Sequence, residues 1–246
     1  MRRPFISAPG RRILGPMTTT LITGANKGLG HAAARRLLAS GHDVWVAARD
    51  AGRGQAAADE LGARFVQLDV TDDASVAAAA EHVAANGGLD VLVNNAGITG
   101  PRTPVPETAA ADVAGVFETN VIGIVRVTRA FLPLLERSPN PVVVNVSSGM
   151  GSFGVTTDPE RLESTIVGLA YPASKSAVTM LTTQYAKAFP NMRINAVDPG
   201  YTATDLNGNS GTQTVEEGTE AIVRMAQVGV SGPTGAFVDR HGEVPW

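Results

Sequence analysis

Short apolar runs alternate with amphipathic stretches along this chain from Thr18 onward, and this alternation restricts the folds that are open to it. The run at 142–146 is the clearest example, because four of its five residues are valine. Such a run is typical of a strand buried on both sides of a parallel sheet. Strands joined by helices form right-handed βαβ units. We therefore expect an α/β protein with a Rossmann-type, doubly wound, mainly parallel sheet and helices on both faces.

The apolar periodicity also predicts where the individual elements lie. Strands are predicted at 20–22, 44–47, 64–68, 89–93, 142–146, 193–197 and 235–238. Helices are predicted at 31–40, 55–61, 74–85, 109–137, 171–188 and 216–228, and the segment 149–170 is expected to be irregular. A length of 246 residues fits one domain, which we assign to 18–246. The arginines among prolines and glycines at 1–17 indicate a disordered N-terminal extension.

The composition excludes several classes of function. There is no cysteine, so disulfides and thiolate metal sites are ruled out. The four histidines are scattered and none has a partner at metal-ligand spacing, so we expect no metal. The net charge of -3 and the lack of long basic or apolar runs argue against nucleic-acid and membrane partners. These features fit a cytoplasmic protein.

A glycine-rich segment, Thr23–Gly30, lies between the first predicted strand and the first predicted helix. Its glycines, Gly24, Gly28 and Gly30, let the backbone turn tightly and approach a pyrophosphate. The N–H groups and the dipole of the following helix favour an anion at the same place. The spacing departs from the general dinucleotide fingerprint, so a glycine-rich turn without a ligand is the alternative interpretation.

The end of the second predicted strand indicates which nucleotide would bind. A site for NAD usually has an acidic residue there to bind the ribose hydroxyls, whereas this chain has Ala48 and Arg49. Arg49 and Lys27 suit a 2′-phosphate, because guanidinium and ammonium groups bind phosphate oxygens strongly. We therefore predict NADPH rather than NADH. Asp50 complicates this prediction, and its alternative roles are a helix N-cap or a surface partner of Arg49 or Arg53.

Tyr171 and Lys175 lie one helical turn apart, so their side chains share a face. A neighbouring ammonium favours phenolate, and this effect would bring proton transfer by the tyrosine within reach at neutral pH. Ser148 follows the strand that ends at Val146, where its hydroxyl could polarise a carbonyl group. Asn120 is an unusual amide within a long helical region. Each feature also has an ordinary structural explanation, such as a surface pair, a turn or a solvent-facing amide.

Together these motifs resemble the short-chain dehydrogenase/reductase family over 18–246, and Asn26-Lys27-Gly28 with Ala48-Arg49-Asp50 resembles its NADPH-dependent carbonyl reductase branch. The resemblance implies that Tyr171 is the acid, Ser148 orients the carbonyl, Lys175 binds the nicotinamide ribose, and Asn120 holds a water. It also implies that Asn94 steadies the central strand and lies near the cofactor ribose. The implied cofactor-binding residues are Gly24, Asn26, Lys27, Gly28, Leu29, Gly30, Arg49, Asp69, Val70, Asn95, Ala96, Gly97, Tyr171, Lys175, Pro199, Gly200 and Thr202.

The function implied by the resemblance is the NADPH-dependent reduction of a ketone or aldehyde to an alcohol. Two alternatives remain at this point: an alcohol dehydrogenase that works in the oxidative direction, and a non-catalytic NADP(H)-binding regulator. The partner is a small carbonyl compound, whose site is expected to involve Ile98, Phe153, Tyr201 and the loops at 149–170 and 204–211. The second loop is expected to close over the cofactor. A homodimer, a homotetramer and a monomer are all compatible with this sequence.

Overall fold

The computed structural model describes residues 17–246, so the expected disordered extension lies outside the described residues except for Met17. A seven-stranded sheet forms the centre, in the order β3-β2-β1-β4-β5-β6-β7. The strands are β1 (Thr19–Thr23), β2 (Asp43–Ala48), β3 (Arg64–Gln67), β4 (Val91–Asn94), β5 (Val142–Val146), β6 (Arg193–Val197) and β7 (Phe237–Val238). Every neighbouring pair is parallel, which confirms the doubly wound sheet.

Helices connect the strands and cover both faces of the sheet. They are α1 (Gly28–Ala39), α2 (Ala51–Leu61), α3 (Asp73–Ala85), α4 (Ala110–Phe117), α5 (Gly123–Leu135), α6 (Phe153–Thr156), α7 (Ala170–Ala188), α8 (Val215–Gly218) and α9 (Glu220–Ala226). Side chains alternate between the two faces along each strand. In β1, Ile22 packs with residues of α1 and α9, whereas Leu21 packs with residues of α3 and α5. This burial on both faces explains why the strands are apolar throughout.

Three predictions about the helices need correction. The single helix predicted at 109–137 is interrupted by a π-helical segment, Glu118–Ile122, between α4 and α5. The helix predicted at 216–228 is divided into α8 and α9 at Thr219. The segment 149–170, expected to be irregular, contains α6 and two 3₁₀ turns, Gly149–Gly151 and Leu162–Thr165. Short local turns of this kind have no apolar periodicity that a sequence could display.

The carboxyl ends of the parallel strands meet at one edge of the sheet, where a doubly wound fold binds its ligand. The loops that follow β1, β4, β5 and β6 carry the glycine-rich segment, Asn95–Gly97, Ser147-Ser148 and Pro199-Gly200 respectively. The topology therefore brings the motifs from distant parts of the sequence to one edge. Within 17–246, no helix is long and apolar enough to cross a membrane.

Candidate active site

A cavity of about 680 Å³ opens at this edge of the sheet. Most of the predicted cofactor-binding residues line it, and they come from the segments after β1, β2, β3, β4 and β6 and from α7. The predicted residues in its wall are Gly24, Asn26, Lys27, Gly28, Leu29, Arg49, Asp69, Val70, Asn95, Ala96, Gly97, Tyr171, Lys175 and Pro199. The structure therefore brings the glycine-rich segment and the tyrosine–lysine pair together in one cavity.

The glycine-rich segment has the geometry of an anion-binding loop. Gly24 and Gly28 adopt positive φ angles of 64° and 57°, which residues with a Cβ rarely adopt. Helix α1 begins at Gly28, three residues earlier than predicted, and no side chain caps its N-terminus. The first amides of a helix have no intrahelical partner, so they remain available to a phosphate. These features fit the pyrophosphate of a dinucleotide.

Asn95 holds the glycine-rich segment against the sheet. Its Nδ2 donates to the carbonyl oxygens of Thr23 at 2.8 Å and Gly24 at 3.3 Å. The Thr23 hydroxyl in turn accepts from the backbone N–H groups of Asn95 and Ala96, both at 3.0 Å. Gly30 packs behind this contact and does not line the cavity, because a Cβ there would lie 2.5 Å from Asn95 Nδ2. Gly30 therefore acts by allowing close packing rather than by a surface contact.

Two exposed cations lie where the 2′-phosphate was predicted, and each faces an acidic residue. Lys27 Nζ lies 3.1 Å from Asp205 Oδ2, and Arg49 Nε lies 3.9 Å from Asp69 Oδ2. The side chains of Lys27 and Arg49 are 60% and 76% exposed, so these ion pairs are weak and can be exchanged for a ligand. Ala48 ends β2 without an acidic group for ribose hydroxyls.

Asp50 has the structural role that was considered as an alternative. Its side chain accepts from the Arg53 backbone N–H at 2.8 Å and so caps α2. It also pairs with the Arg53 guanidinium at 3.2 Å. The backbone hydrogen bond from Arg53, followed by the side-chain one, lowers the pKa of Asp50. Asp50 is therefore a helix cap, and its presence does not argue against a phosphate beside Arg49.

Tyr171 and Lys175 lie in the first turns of α7 and share a face, as predicted. Lys175 Nζ lies 5.5 Å from the centre of the Tyr171 ring. It donates to the carbonyl oxygen of Val146 at 2.8 Å and so is anchored at the carboxyl end of β5. Lys175 is only 6% exposed, whereas Tyr171 is half-buried and reaches the cavity.

The expected effect on the acidity of Tyr171 is wrong for the chain as described. The pKa of Tyr171 is raised to about 12, mainly by burial and to a smaller extent by the charge of Asp198, against the opposing effect of the nearby Ser148 hydroxyl. Burial also lowers the pKa of Lys175 to about 8, against the opposing effect of Asp198. Desolvation disfavours the charged form of each group and dominates both shifts. The raised pKa favours the protonated form of Tyr171 at neutral pH.

The two serines after β5 have different surroundings. Ser147 is buried, and its hydroxyl donates to the carbonyl oxygen of Lys175 at 3.1 Å. Ser148 is not in the lining of the cavity, but its hydroxyl is close enough to Tyr171 to lower the pKa of the phenol. The Ser148 Oγ also accepts from the Met150 backbone N–H at 3.2 Å. Ser148 is therefore the serine that faces the tyrosine.

Asn120 explains the π-helical segment in which it lies. Its Oδ1 accepts from the Ile98 N–H at 2.8 Å, and its Nδ2 donates to the Ile98 carbonyl at 2.9 Å and to Ser174 Oγ at 3.0 Å. The widened turn lets a helical side chain reach this loop, and π-helical turns are frequent at functional sites. A Cβ at Gly97 would lie 3.3 Å from Asn120 Oδ1 and 3.7 Å from Lys175 Nζ. Asn120 thus lies behind the wall of the cavity, close to Lys175.

Gly200 and Thr202, predicted to border the nicotinamide, also lie outside the cavity lining. A Cβ at Gly200, whose φ is 70°, would lie 2.4 Å from Gln213 Nε2. Thr202 is buried, its hydroxyl donates to the Pro199 carbonyl at 2.9 Å, and its side chain packs against Gly218. Of this motif, only Pro199 reaches the cavity surface.

Asn94 does not itself line the cavity, and its contacts fit the strand-steadying role that the resemblance implied. Its Nδ2 donates to Asn145 Oδ1 at 2.9 Å and to Thr128 Oγ1 at 3.2 Å. Asn145 Nδ2 then donates to Thr182 Oγ1 at 2.9 Å. This buried chain of hydrogen bonds connects β4 and β5 with α5 and α7, so Asn94 steadies the central strands.

Only some of the residues predicted to form the substrate site line the cavity. Ile98 and residues 204–206 line it, and Ile98 and Leu206 are exposed apolar residues. Phe153 and Tyr201 do not line it, although both are exposed. The loop at 204–206 approaches the glycine-rich segment through the Lys27–Asp205 ion pair. Residues 17–246 contain no cluster of His, Cys, Asp or Glu that could hold a metal ion.

Three charged residues near the site were missed in the sequence. Arg126 on α5 donates to the Val70 carbonyl at 2.6 Å and pairs with Glu118 at 2.9 Å, so it supports one wall of the cavity. Asp205 pairs with Lys27, and Asp198 is buried beside the tyrosine–lysine pair. The position of Asp198 directly before Pro199-Gly200 was the only available signal.

Comparisons with known proteins agree with this geometry. Residues 18–214 match the family model described as short chain dehydrogenase. The chain is 35% identical to carbonyl reductase [NADPH] 1 of Pongo abelii, over 94% of this chain and 99% of that protein. It is 34% identical to (+)-neomenthol dehydrogenase of Arabidopsis thaliana, over 89% and 95% respectively.

Solved structures of reductases also resemble this chain. The structure of NADPH-bound carbonyl reductase from chicken fatty liver superposes with a TM-score of 0.82 at 28% identity, and the match covers 94% of this chain and 99% of that chain. The alignment with the Pongo abelii protein spans 278 positions, more than the 246 residues here, so that relative has stretches which this chain lacks. The chain therefore belongs to the short-chain dehydrogenase/reductase family of oxidoreductases.

Proposed function

We propose that the protein reduces a ketone or aldehyde to an alcohol with NADPH, and that Tyr171 donates the proton. The observation that carries the proposal is that Tyr171 and Lys175 line the same cavity as the glycine-rich segment. A bound NADPH supplies a hydride to the carbonyl carbon. The reduced oxygen then needs a proton, and a phenol with a raised pKa holds one at neutral pH.

The neighbouring side chains have distinct roles in this proposal. The Ser148 hydroxyl, which faces Tyr171, orients the substrate carbonyl. The Lys175 ammonium binds the ribose next to the nicotinamide, where it also lies beside the tyrosine ring. Asn120 fixes the Ile98 loop and the adjacent turn of α7, and so supports a water near Lys175 for proton return. Fixed donors and acceptors of this kind lower the cost of aligning the reactants.

The preference for NADPH rests on the charges around the adenosine end of the cavity. Arg49 and Lys27 lie in its wall, and β2 ends at Ala48 without an acidic group. A 2′-phosphate would replace Asp69 and Asp205 as the partner of these cations. Two relatives support the preference, since one is named carbonyl reductase [NADPH] 1 and the other is an NADPH-bound carbonyl reductase.

The substrate is proposed to be an apolar carbonyl compound. Ile98 and Leu206 contribute exposed apolar surface to the cavity wall near its open side. The similar proteins include (-)-isopiperitenone reductase from Mentha piperita and a (+)-neomenthol dehydrogenase, whose names indicate apolar ring compounds. Cyclic and aromatic ketones are therefore the first compounds to test.

The experiment is a panel of ketones and aldehydes monitored by the loss of NADPH absorbance. We expect turnover with apolar members, and we expect Tyr171→Phe to lose nearly all of it while NADPH affinity is retained. Tyr185→Phe is the matched control, because Tyr185 is on the same helix, stacks on Phe189 and lies outside the cavity. Full activity in Tyr171→Phe would reject the acid role.

The same assay separates the two rival functions. An oxidative alcohol dehydrogenase needs a phenolate as base, and the raised pKa of Tyr171 disfavours that form. A regulator would bind NADPH but show no turnover with any member of the panel. Arg49→Ala tests the nucleotide preference, because it should weaken NADPH binding more than NADH binding. Equal weakening would reject the assignment of Arg49 to a 2′-phosphate.

A further inference from the structure

A buried carboxyl group lies beside the active site and has no role in the proposed chemistry. Asp198 follows β6 directly, is only 5% exposed and does not line the cavity. A buried acid is costly unless hydrogen bonds or opposite charge compensate for lost solvation. Its partners therefore indicate what it does.

The first partners of Asp198 are backbone amides of the two turns on either side of it. The Gly200 N–H donates to Oδ1 at 2.9 Å, and the Gly149 backbone packs against the same carboxylate, close enough for its N–H to lower the pKa of Asp198. Gly149 is adjacent to Ser148, and Gly200 is adjacent to Pro199 in the cavity wall. Amides can only donate, so they favour the ionised carboxylate. Asp198 thus fixes the position of the Ser148 turn relative to the Pro199 turn.

Asp198 and the turn that follows Ser148 are closely packed. A Cβ at Gly149 would lie 3.0 Å from Asp198 Oδ2 and 3.0 Å from Glu163 Oε1. The turn also packs against α7, since a Cβ at Gly151 would lie 2.5 Å from the carbonyl carbon of Lys175. A change at Asp198 would therefore move the Ser148 turn relative to the helix that carries Lys175.

The second partner of Asp198 is electrostatic. Within 17–246, Lys175 has no carboxylate within 4.0 Å, and its Nζ donates to the neutral Val146 carbonyl. The negative charge of Asp198 opposes the effect of burial on the Lys175 pKa and also raises the Tyr171 pKa. Burial is the main cause that raises the pKa of Asp198 itself, and the amides of Gly200 and Gly149 lower it. Two facing acids, Glu163 from the segment before α7 and Asp239 after β7, raise it further.

We propose that Asp198 is a positioning residue of the active site, which holds the Ser148 turn against the Pro199 turn and supplies the negative charge that balances Lys175. This proposal rests on the proposed function only because it takes the cavity beside Tyr171 to be the active site. In this arrangement the charge of Asp198 favours the ammonium form of Lys175 and adds to the effect of burial, which favours the phenol form of Tyr171. These are the two protonation states that a carbonyl reduction needs. It acts through these groups and does not contact the substrate.

Asp198→Asn is the direct test, because it keeps the shape of the side chain and removes the charge. Without that charge Tyr171 should ionise at lower pH, since a negative neighbour no longer opposes the phenolate. NMR of protein with isotope-labelled tyrosine follows this ionisation, and with three tyrosines in the chain Tyr171→Phe identifies the signal. Turnover should also fall about tenfold or more, because the Ser148 turn loses its alignment.

Glu160→Gln is the matched control. It removes one negative charge from an exposed position in the segment before α7, which also carries Glu163. It should leave the Tyr171 titration unchanged. An Asp198→Asn variant with reduced turnover and an unshifted Tyr171 titration would overturn the proposal, because Asp198 would then have a purely structural role. The titration needs no substrate, so a protein that reduces nothing in the panel would reject the proposed function without affecting this test.

A second variant covers the case in which Asp198→Asn does not fold. In the wild type, the Tyr171 signal should show a small change as Asp198 takes up a proton. Glu163→Gln removes a charge that raises the Asp198 pKa, so this change should move to lower pH. If this change is absent, or stays at the same pH in Glu163→Gln, the proposal is wrong.

Discussion

Gly30 gives a sharp test of how the glycine-rich segment is held. It is the third residue of α1, and a Cβ there would lie 2.5 Å from Asn95 Nδ2, 2.8 Å from the Gly24 oxygen and 2.9 Å from the Ala25 Cα. Two of these three atoms belong to the backbone, which cannot rotate away. Gly30→Ala should therefore push the Asn95 amide off the Thr23 and Gly24 carbonyls.

The expected cost follows from three contributions. Overpacking of a close contact costs about 1–3 kcal/mol, and a weakened hydrogen bond costs about 1 kcal/mol. Alanine recovers about 1 kcal/mol relative to glycine within a helix. We expect Gly30→Ala to lower the free energy of unfolding by about 2 kcal/mol, which corresponds to a fall in Tm of about 4–8 °C for a chain of this size.

Gly115→Ala is the matched control. Gly115 is in α4, is exposed, and has no atom within 4 Å of the position where a Cβ would lie. The same substitution should here raise the free energy of unfolding by about 0.5–1 kcal/mol, because only the helix propensity changes. The two variants are thus expected to change stability in opposite directions.

Thermal unfolding followed by circular dichroism measures both variants, and calorimetric titration with NADPH measures the consequence at the site. Gly30→Ala should weaken NADPH binding by about tenfold, since a distortion of about 1.4 kcal/mol at the phosphate loop has that effect. Gly115→Ala should bind NADPH like the wild type. A Gly30→Ala protein with wild-type Tm and NADPH affinity would refute the argument from close packing.

Two further predictions concern pH. Burial lowers the His42 pKa from 6.5, more than Asp90 raises it, so only the unfolded chain takes up this proton just below pH 6.5. The free energy of unfolding should therefore fall as pH drops below 6.5, and His42→Gln should show a smaller fall in Tm over that range. The Lys175 pKa of about 8 predicts that turnover declines as pH rises through about 8, while Tyr171 keeps its proton. A rate that stays level up to pH 10 would contradict an essential ammonium.

The sheet could be predicted from the sequence because its determinants are local. The strand at 142–146 and the other strands are apolar in composition, which indicates that they are buried. The connecting helices are recognised by the helical spacing of their apolar residues. The motifs at the strand ends then follow from parallel topology, which places them at one edge. The glycine-rich segment, the tyrosine–lysine pair and Ser148 therefore lie at the edge of the sheet where they were predicted.

What could not be predicted depends on contacts between distant residues. The π-helical segment exists beside a long-range contact, because Asn120 hydrogen-bonds to Ile98 across the fold. The raised pKa of Tyr171 arises from burial, whereas the sequence shows only that an ammonium is near. Thr202 was assigned to the cavity by its motif, but its hydroxyl turns back to the Pro199 carbonyl. The balance between a neighbouring charge and desolvation is set by packing, so spacing alone gave the wrong sign.

A crystal structure of the protein with NADP⁺ tests the central claim most directly. The account predicts that the 2′-phosphate contacts Arg49 or Lys27, that the pyrophosphate lies on the first amides of α1, and that the nicotinamide ring lies against Tyr171 and Lys175. A nicotinamide ring bound away from Tyr171, or a phenol turned out of the cavity, would contradict the proposed reductase.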